Sequence, residues 1–144
     1  MQVRLDMCLE WILADHILVA FGNEQETPIG VLRLVAQRIG ADEGRPLIKR
    51  GPDPLIEGKV IHFEVVRAHR GQGIGRSLME AARDQARLDG CLQLRSRIWY
   101  TKAVANAQLN LSRGAMVHPS LVDDSAYFII PLQLVPHDHP VASH

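Results

Sequence analysis

The chain has 144 residues, with 16 Lys and Arg, 16 Asp and Glu, and no formal net charge at pH 7. This length suits one domain with a single core. The balanced charge excludes an overall positive field that would attract nucleic acid or an anionic membrane, so a bound anion must be held by a local site.

The N-terminal region and the two cysteines bear on the cellular compartment. Asp6, Glu10 and Asp15 interrupt the first apolar run, so we expect neither a signal peptide nor a membrane span. Cys8 and Cys91 lie in apolar stretches far apart in sequence, which is typical of reduced core residues. The sequence therefore predicts a cytoplasmic protein without a membrane anchor.

The first part of the chain has the pattern of a hairpin followed by a loop. β-branched and leucine-rich runs over 11–21 and 29–39 flank the polar segment GNEQETP, which predicts two antiparallel strands. Residues 40–59 are rich in Gly and Pro, so we expect a long surface loop there.

The segment VIHFEVV, residues 60–66, alternates as a strand does. The alternation places His62 and Glu64 on one face and Ile61, Phe63 and Val65 on the other. We expect the apolar set to face the core and the polar pair to carry chemistry or to meet solvent.

Helix and strand patterns follow. Apolar residues at helical spacing predict a helix over 75–89, ending at Gly90. Residues 91–99 alternate as a strand, and a second helix is predicted to end at Gly114.

A last strand is predicted over 125–135, with Pro131 limiting it to an edge or a bulge. The elements together predict an α/β (α+β) fold with a mixed sheet and two helices in its second half. We expect a single domain over 1–136 and a flexible tail over 137–144.

Three glycines at alternate positions, Gly71, Gly73 and Gly75, lie between the predicted strand and the predicted helix. Exposed backbone N–H groups and the helix dipole both favour an anion at such a place. Arg70 and Arg76 bracket the loop and can donate hydrogen bonds to phosphate oxygens. The segment therefore predicts a cradle for a phosphate or pyrophosphate.

Three other glycine-rich motifs do not fit. The dinucleotide fingerprint requires glycine where Arg76 stands, and the kinase loop shares that spacing. The Walker loop requires four residues between its glycines and then a lysine, but three residues separate Gly71 from Gly75 and an arginine follows.

The pattern Arg/Gln-x-x-Gly-x-Gly/Ala is met by Arg70, Gly73 and Gly75, after a strand that includes Val65. This segment resembles the acetyl-coenzyme A binding motif of the GNAT superfamily of N-acetyltransferases. The hairpin before it and the strands after it are similar to the family's elements, which implies a GNAT-like mixed, mostly antiparallel sheet with flanking helices. The resemblance also implies that Val65 pairs with the pantetheine arm and that the pyrophosphate is held by the loop residues Arg70, Gly71, Gln72, Gly73, Ile74, Gly75 and Arg76.

The sequence departs from the family in two places. Only about ten residues precede the first predicted strand, whereas family members commonly begin with a strand and two helices that form part of the acceptor site. The acceptor site is then shortened, completed by a partner chain or missing, and we expect a homodimer that covers apolar sheet surface. The family tyrosine that protonates the departing thiolate falls at Asn110, which cannot serve as an acid, and the family asparagine falls at Ala103.

Candidates for catalysis are few. Glu64 and His62 are the candidate general bases, because this strand passes beside the thioester in the family; the alternative is that both are solvated strand residues. Asn110, Ser112 and Tyr127 could lie near the sulfur, although each is more typical of a surface or packing residue.

The preferred hypothesis is an acyltransferase that moves the acetyl group of acetyl-coenzyme A to an amine of a small-molecule or peptide acceptor by direct attack. The alternative is a coenzyme A or acyl-coenzyme A binding protein of the same fold that acts as a sensor or subunit. A nucleotide-binding protein stays open only if ATP or NAD binds in place of coenzyme A. The histidines after residue 136 are more typical of a solvated tail than of a metal site, so no metal is expected.

Overall fold

A computed structural model describes residues 11–23, 26–99, 114–119 and 125–132 of the chain. Helix α1 spans Ile74–Leu88, and short 3-10 turns span Ala41–Glu43 and Arg67–His69. No helix within the described ranges is long and apolar enough to cross a membrane. The strands are β1 (Ile12–Phe21), β2 (Pro28–Arg38), β3 (Lys49–Arg50), β4 (Asp53–Pro54), β5 (Ile56–Val65), β6 (Gln93–Trp99), β7 (Met116–Pro119) and β8 (Ser125–Pro131).

Six strands form one sheet in the order β1-β2-β5-β6-β8-β7, and β3 and β4 form a separate hairpin. All neighbours in the large sheet are antiparallel except β5 and β6, which are parallel and connected through α1. A parallel pair needs such a crossover connection, whereas an antiparallel pair can be joined by a short turn. The predicted fold class, a mixed and mostly antiparallel sheet with a flanking helix, is confirmed.

Helix α1 packs on one face of the sheet through a stripe of buried residues, among them Leu78 and Ala82. These side chains join Leu32 and Leu34 of β2 and Leu94 of β6 in one core cluster. Side chains alternate along a strand, so the residues between these positions lie on the opposite face. We call this opposite face the far face; it carries Arg33, His62, Glu64, Arg95, Arg97 and Tyr127.

The prediction of a loop over 40–59 is wrong in part. This segment contains the β3–β4 hairpin, and β5 begins at Ile56, before the predicted start of that strand. Gly58 is one of the glycines in this segment, and a Cβ at this position would come within 3.0 Å of Leu94 and 3.2 Å of Ala86. The glycine therefore serves close packing inside a strand.

The last predicted strand is β8, and it is an inner strand between β6 and β7 rather than an edge. Pro131 is tolerated because it is the last residue of β8 and lies beyond Ile129, where pairing with β7 ends. The helix predicted before Gly114 and the tail lie outside the described residues, as does Asn110.

Candidate active site

The central feature of the sheet is a gap between its two parallel strands. β5 and β6 are paired from Glu57 with Gln93 to Val60 with Ser96, and the pairing ends there. β5 continues to Val65 while β6 continues beside β8. In the described residues, the last part of β5 thus has no strand partner on its β6 side.

A β-bulge lies where the two strands separate. Successive β2 residues Arg33 and Leu34 pair with His62 and Val60, so Ile61 is an extra residue on β5. A bulge bends its strand and increases the local twist. It also changes the alternation, and Ile61 is 43% exposed although the sequence pattern placed it in the core.

The loop after β5 contains two glycines in the left-handed backbone conformation. Gly71 and Gly73 have φ values of 81° and 83°, and a Cβ at either position would meet nothing within 4 Å. Glycine is favoured here by its backbone conformation, and the adjacent space is open for a ligand. Gly73 is also the N-cap of α1, and no side chain caps this helix end. The N–H groups of the first turn are therefore available to an anion.

Gly75 has a different environment from the other two glycines. A Cβ at this position would lie 3.3 Å from the ring of Phe63. The glycine lets the first turn of α1 approach β5, while its N–H group remains part of the uncapped helix end. This close approach brings the helix N-terminus to the end of the gap.

Arginines surround the loop. Arg70 donates from Nε to the backbone oxygen of Val65 at 3.1 Å, which ties the loop to the end of β5. Neither Arg67 nor Arg76 has a carboxylate partner in the described part of the chain. The sequence contains no Asp or Glu between Glu64 and Glu80, and this absence is a signal for Arg67, which was not among the predicted site residues.

His62 and Glu64 lie together on the far face, beside the gap. Their Nε2 and Oε2 atoms are 3.3 Å apart, and the side chains are 56% and 63% exposed. The pair is accessible to solvent. A carboxylate beside an imidazole can accept a proton and pass it to water, which is the chemistry expected of a general base.

Arg97 and Tyr127 lie across the gap on the same face. They are register partners on β6 and β8. Arg97 donates from Nη2 to the Tyr127 hydroxyl at 2.5 Å, and its guanidinium carbon lies 4.9 Å from the centre of the ring. Arg97 was not predictable as a site residue from the sequence, because this pairing depends on strands that are distant in sequence.

A buried ion cluster lies below the gap, where β5 and β6 begin. Arg95 donates to Asp42 and Glu43 at 2.7 Å and to Glu57 at 2.9 Å. Burial raises the pKa of Asp42, but the hydrogen bond from Lys59 and the charge of Arg95 outweigh burial and hold this pKa at about 2. The cluster fixes the segment after β2 against the far face.

Polar side chains complete this cluster. Gln37 donates to Asp42 at 2.8 Å and to Glu57 at 3.0 Å, and the Gly40 N–H also donates to Glu57 at 3.0 Å. Gln93 donates to the second oxygen of Glu57 at 3.1 Å. In the described ranges, no group of three or more His, Cys, Asp or Glu side chains is arranged to hold a metal ion.

Comparisons with known proteins agree with this architecture. A model of the acetyltransferase (GNAT) family matches residues 3–109, and no curated protein sequence matches the chain. A Klebsiella pneumoniae protein provisionally named an acyl-CoA N-acyltransferase has a TM-score of 0.62 and 20% identity, over 91% of this chain and 86% of its own.

Two further solved structures have the same fold. The ribosomal-protein-S18-alanine N-acetyltransferase of Escherichia coli has a TM-score of 0.56 and 15% identity, over 93% of this chain and 79% of its own. The PaiA N-acetyltransferase of Thermoplasma acidophilum, solved in complex with coenzyme A, has a TM-score of 0.59 and 16% identity, over 90% of this chain and 65% of its own. The family model covers well over half of the sequence, and the chain therefore belongs to the acetyltransferase (GNAT) family.

Proposed function

We propose that the protein is an N-acetyltransferase that moves an acetyl group from acetyl-coenzyme A to an amine of a small-molecule or peptide acceptor. The observation that carries this proposal is the gap between β5 and β6, which ends at an uncapped helix N-terminus surrounded by arginines. The coenzyme A bound to the Thermoplasma acidophilum relative supports the choice of donor.

The loop and the free edge of β5 are the proposed donor site. The N–H groups from Gly71 to Arg76 hold the pyrophosphate, with Gln72 and Ile74 contributing through their backbone. Arg70 and Arg76 add charge-assisted hydrogen bonds. The backbone of β5 up to Val65, unpaired on its β6 side within the described residues, binds the pantetheine arm as a neighbouring strand would.

Acetyl-coenzyme A supplies an activated acyl carbon and a thiolate leaving group. The acceptor nitrogen forms a bond to that carbon as the carbon–sulfur bond breaks, and the nitrogen must lose a proton. Glu64, with His62 beside it, accepts this proton directly or through water. N–H groups of β5 near the bulge at Ile61 stabilise negative charge on the carbonyl oxygen, and a solvent proton converts the thiolate to the thiol.

The second candidate is a coenzyme A binding protein that does not transfer the acetyl group. The asparagine at position 110, where the family has its acid, favours this reading. Release of free thiol from acetyl-coenzyme A in the presence of a panel of amines separates the two candidates. A pure binding protein leaves the thioester intact with every amine.

A thermal shift assay tests the donor site first. Coenzyme A and acetyl-coenzyme A at about a hundred times their dissociation constants should stabilise the fold by roughly 2.7 kcal/mol, and ATP and NAD should not. Gly73→Val should abolish this shift. Gly51→Val is the matched control, because Gly51 also has a positive φ and open space around it but lies in the β3–β4 turn.

Three outcomes of this assay distinguish the candidate functions. A shift with coenzyme A compounds that survives Gly51→Val and is lost in Gly73→Val supports the donor site. Stabilisation by ATP or NAD instead would support a nucleotide-binding protein, and no stabilisation by any of the four would contradict the proposal.

We also propose that two copies associate through β1, which is an edge strand of the sheet. Its far-face side chains Leu13, Ile17 and Phe21 are 58%, 66% and 52% exposed, more apolar surface than an isolated edge strand usually presents. Sedimentation should show a dimer at micromolar concentration, and Ile17→Lys should convert it to a monomer. A monomeric wild-type protein would exclude this assembly.

The cytoplasm is the proposed compartment. Cys91 is free and buried, and burial, with the charges of Asp89 and Glu57, raises the pKa of its thiol to about 12. This cysteine is therefore a protonated core residue, as expected of a protein in a reducing compartment. Cell fractionation that recovers the protein with periplasmic or secreted markers would contradict this assignment.

A further inference from the structure

The pair formed by Arg97 and Tyr127 has unused hydrogen-bonding capacity. A guanidinium has five N–H donors, and the Tyr127 hydroxyl is the one acceptor that Arg97 has in the described chain. The hydroxyl accepts this bond through a lone pair and keeps its own proton to donate. Two side chains thus present donors at the same place on the far face.

The nearby carboxylates do not satisfy Arg97. Asp42, Glu43 and Glu57 are engaged by Arg95, which stacks on the Tyr127 ring at 4.8 Å. The ring is therefore in contact with two guanidinium groups, of which one is neutralised by its partners and the other is not. Stacking holds the Arg97 guanidinium as a planar fork, the geometry that binds a carboxylate through two hydrogen bonds.

The position of this pair relative to Glu64 indicates what it recognises. Arg97 is the residue on β6 directly after Ser96, where pairing with β5 ends. It therefore faces His62 and Glu64 across the opening of the gap, with the Glu64 carboxylate on one side and a guanidinium on the other. Paired strands lie about 5 Å apart, and β5 and β6 are no longer paired here, so the amine and the carboxylate of one compact molecule can lie between these two groups.

We infer that the acceptor is an amino acid, whose carboxylate is bound by Arg97 and the Tyr127 hydroxyl while its amine is directed to the thioester. This inference rests on the proposed acetyltransferase function and names its substrate class. The site discriminates against amides, because a neutral carboxamide leaves the guanidinium without a charged partner. It equally discriminates against decarboxylated amines.

Ligand-observed NMR titration tests this inference with the common L-amino acids and their α-carboxamides as matched probes. The titrations use the full chain, both free and saturated with coenzyme A. At least one amino acid should bind about 10- to 100-fold more tightly than its amide, the change expected when a charge-assisted hydrogen bond is lost.

Substitutions of Arg97 test whether this residue is the source of the preference for the amino acid over its amide. Arg97→Gln should bring the acid and its amide to within about threefold, and Arg97→Lys should keep part of the preference, because lysine keeps the charge but loses the planar fork. Arg87→Gln is the control, since Arg87 is an exposed arginine on α1 that pairs with Asp84. A cooperative thermal unfolding transition shows that each variant folds, whether or not coenzyme A binds.

Equal binding of every acid and its amide would overturn the inference, as would a preference that survives Arg97→Gln. These results can be distinguished from a failure of the proposed acetyltransferase function. Failure to bind coenzyme A overturns the acetyltransferase proposal, whereas the ratio of acid to amide binding is still measured on the free protein and decides the role of Arg97.

Discussion

Arg95 on β6 donates from Nη2 to Glu57 on β5 at 2.9 Å, and both side chains are almost fully buried. The bond joins the two parallel strands directly below the point where they separate. It also connects them to Asp42 and Glu43, so one guanidinium binds three acidic groups from two segments. This arrangement supports the base of the proposed donor site.

Arg95→Met should destabilise the protein by about 3 kcal/mol, because removing one partner of a buried ion pair leaves uncompensated charge on the other. Arg87→Met removes an exposed pair with Asp84 and should cost less than about 1 kcal/mol. Urea unfolding of both variants measures the difference. Equal costs for the two would show that the buried cluster contributes nothing beyond a surface pair.

Stability should fall at acidic pH through Asp42. Its pKa is lowered from 3.8 to about 2 in the folded chain, so its contribution is present above pH 4 and is lost as the pH falls towards 2. The shift corresponds to roughly 2 kcal/mol. Unfolding free energies of wild type and Asp42→Asn between pH 5 and pH 2 should converge as the pH falls. Curves that stay parallel would contradict this assignment.

Arg67 and Arg76 should each contribute to coenzyme A affinity, because neither is neutralised by a carboxylate in the described residues. Arg67→Gln and Arg76→Gln should each weaken binding by about tenfold and reduce its dependence on salt. Arg38→Gln is the matched control, since Arg38 is an exposed arginine at the end of β2 away from the loop. Calorimetry at two salt concentrations gives both quantities, and an equal loss in the control would indicate a general charge effect.

Glu64→Gln should lower kcat/KM by about 100-fold or more with an accepted amine while leaving coenzyme A affinity unchanged. The substitution keeps the size of the side chain but removes its ability to accept a proton. Glu26→Gln, in the turn between β1 and β2, is the control for loss of a single negative charge. Wild-type turnover by Glu64→Gln would remove Glu64 from the mechanism and leave His62 as the candidate base.

Features that depend on neighbours in the chain were predictable from the sequence. The succession of a strand, Arg70, Gly71, Gly73 and a helix was predictable because glycine conformation and helix initiation are set within a few residues. The helix predicted over 75–89 agrees with α1 to within one residue at each end. The resemblance to the GNAT family depends on these same local features.

The contacts between distant strands follow only from the order and register of the folded sheet. The bulge at Ile61 moved this residue off the core face that the sequence predicted for it, because the bulge depends on the register of β5 against β2, whereas the predicted alternation from His62 to Val65 is retained. Arg97 meets Tyr127 across 30 residues, and Arg95 reaches Glu43 across 52. Alternating polar residues on single strands do not reveal such partners, since strand order and register bring them together only when the sheet is complete.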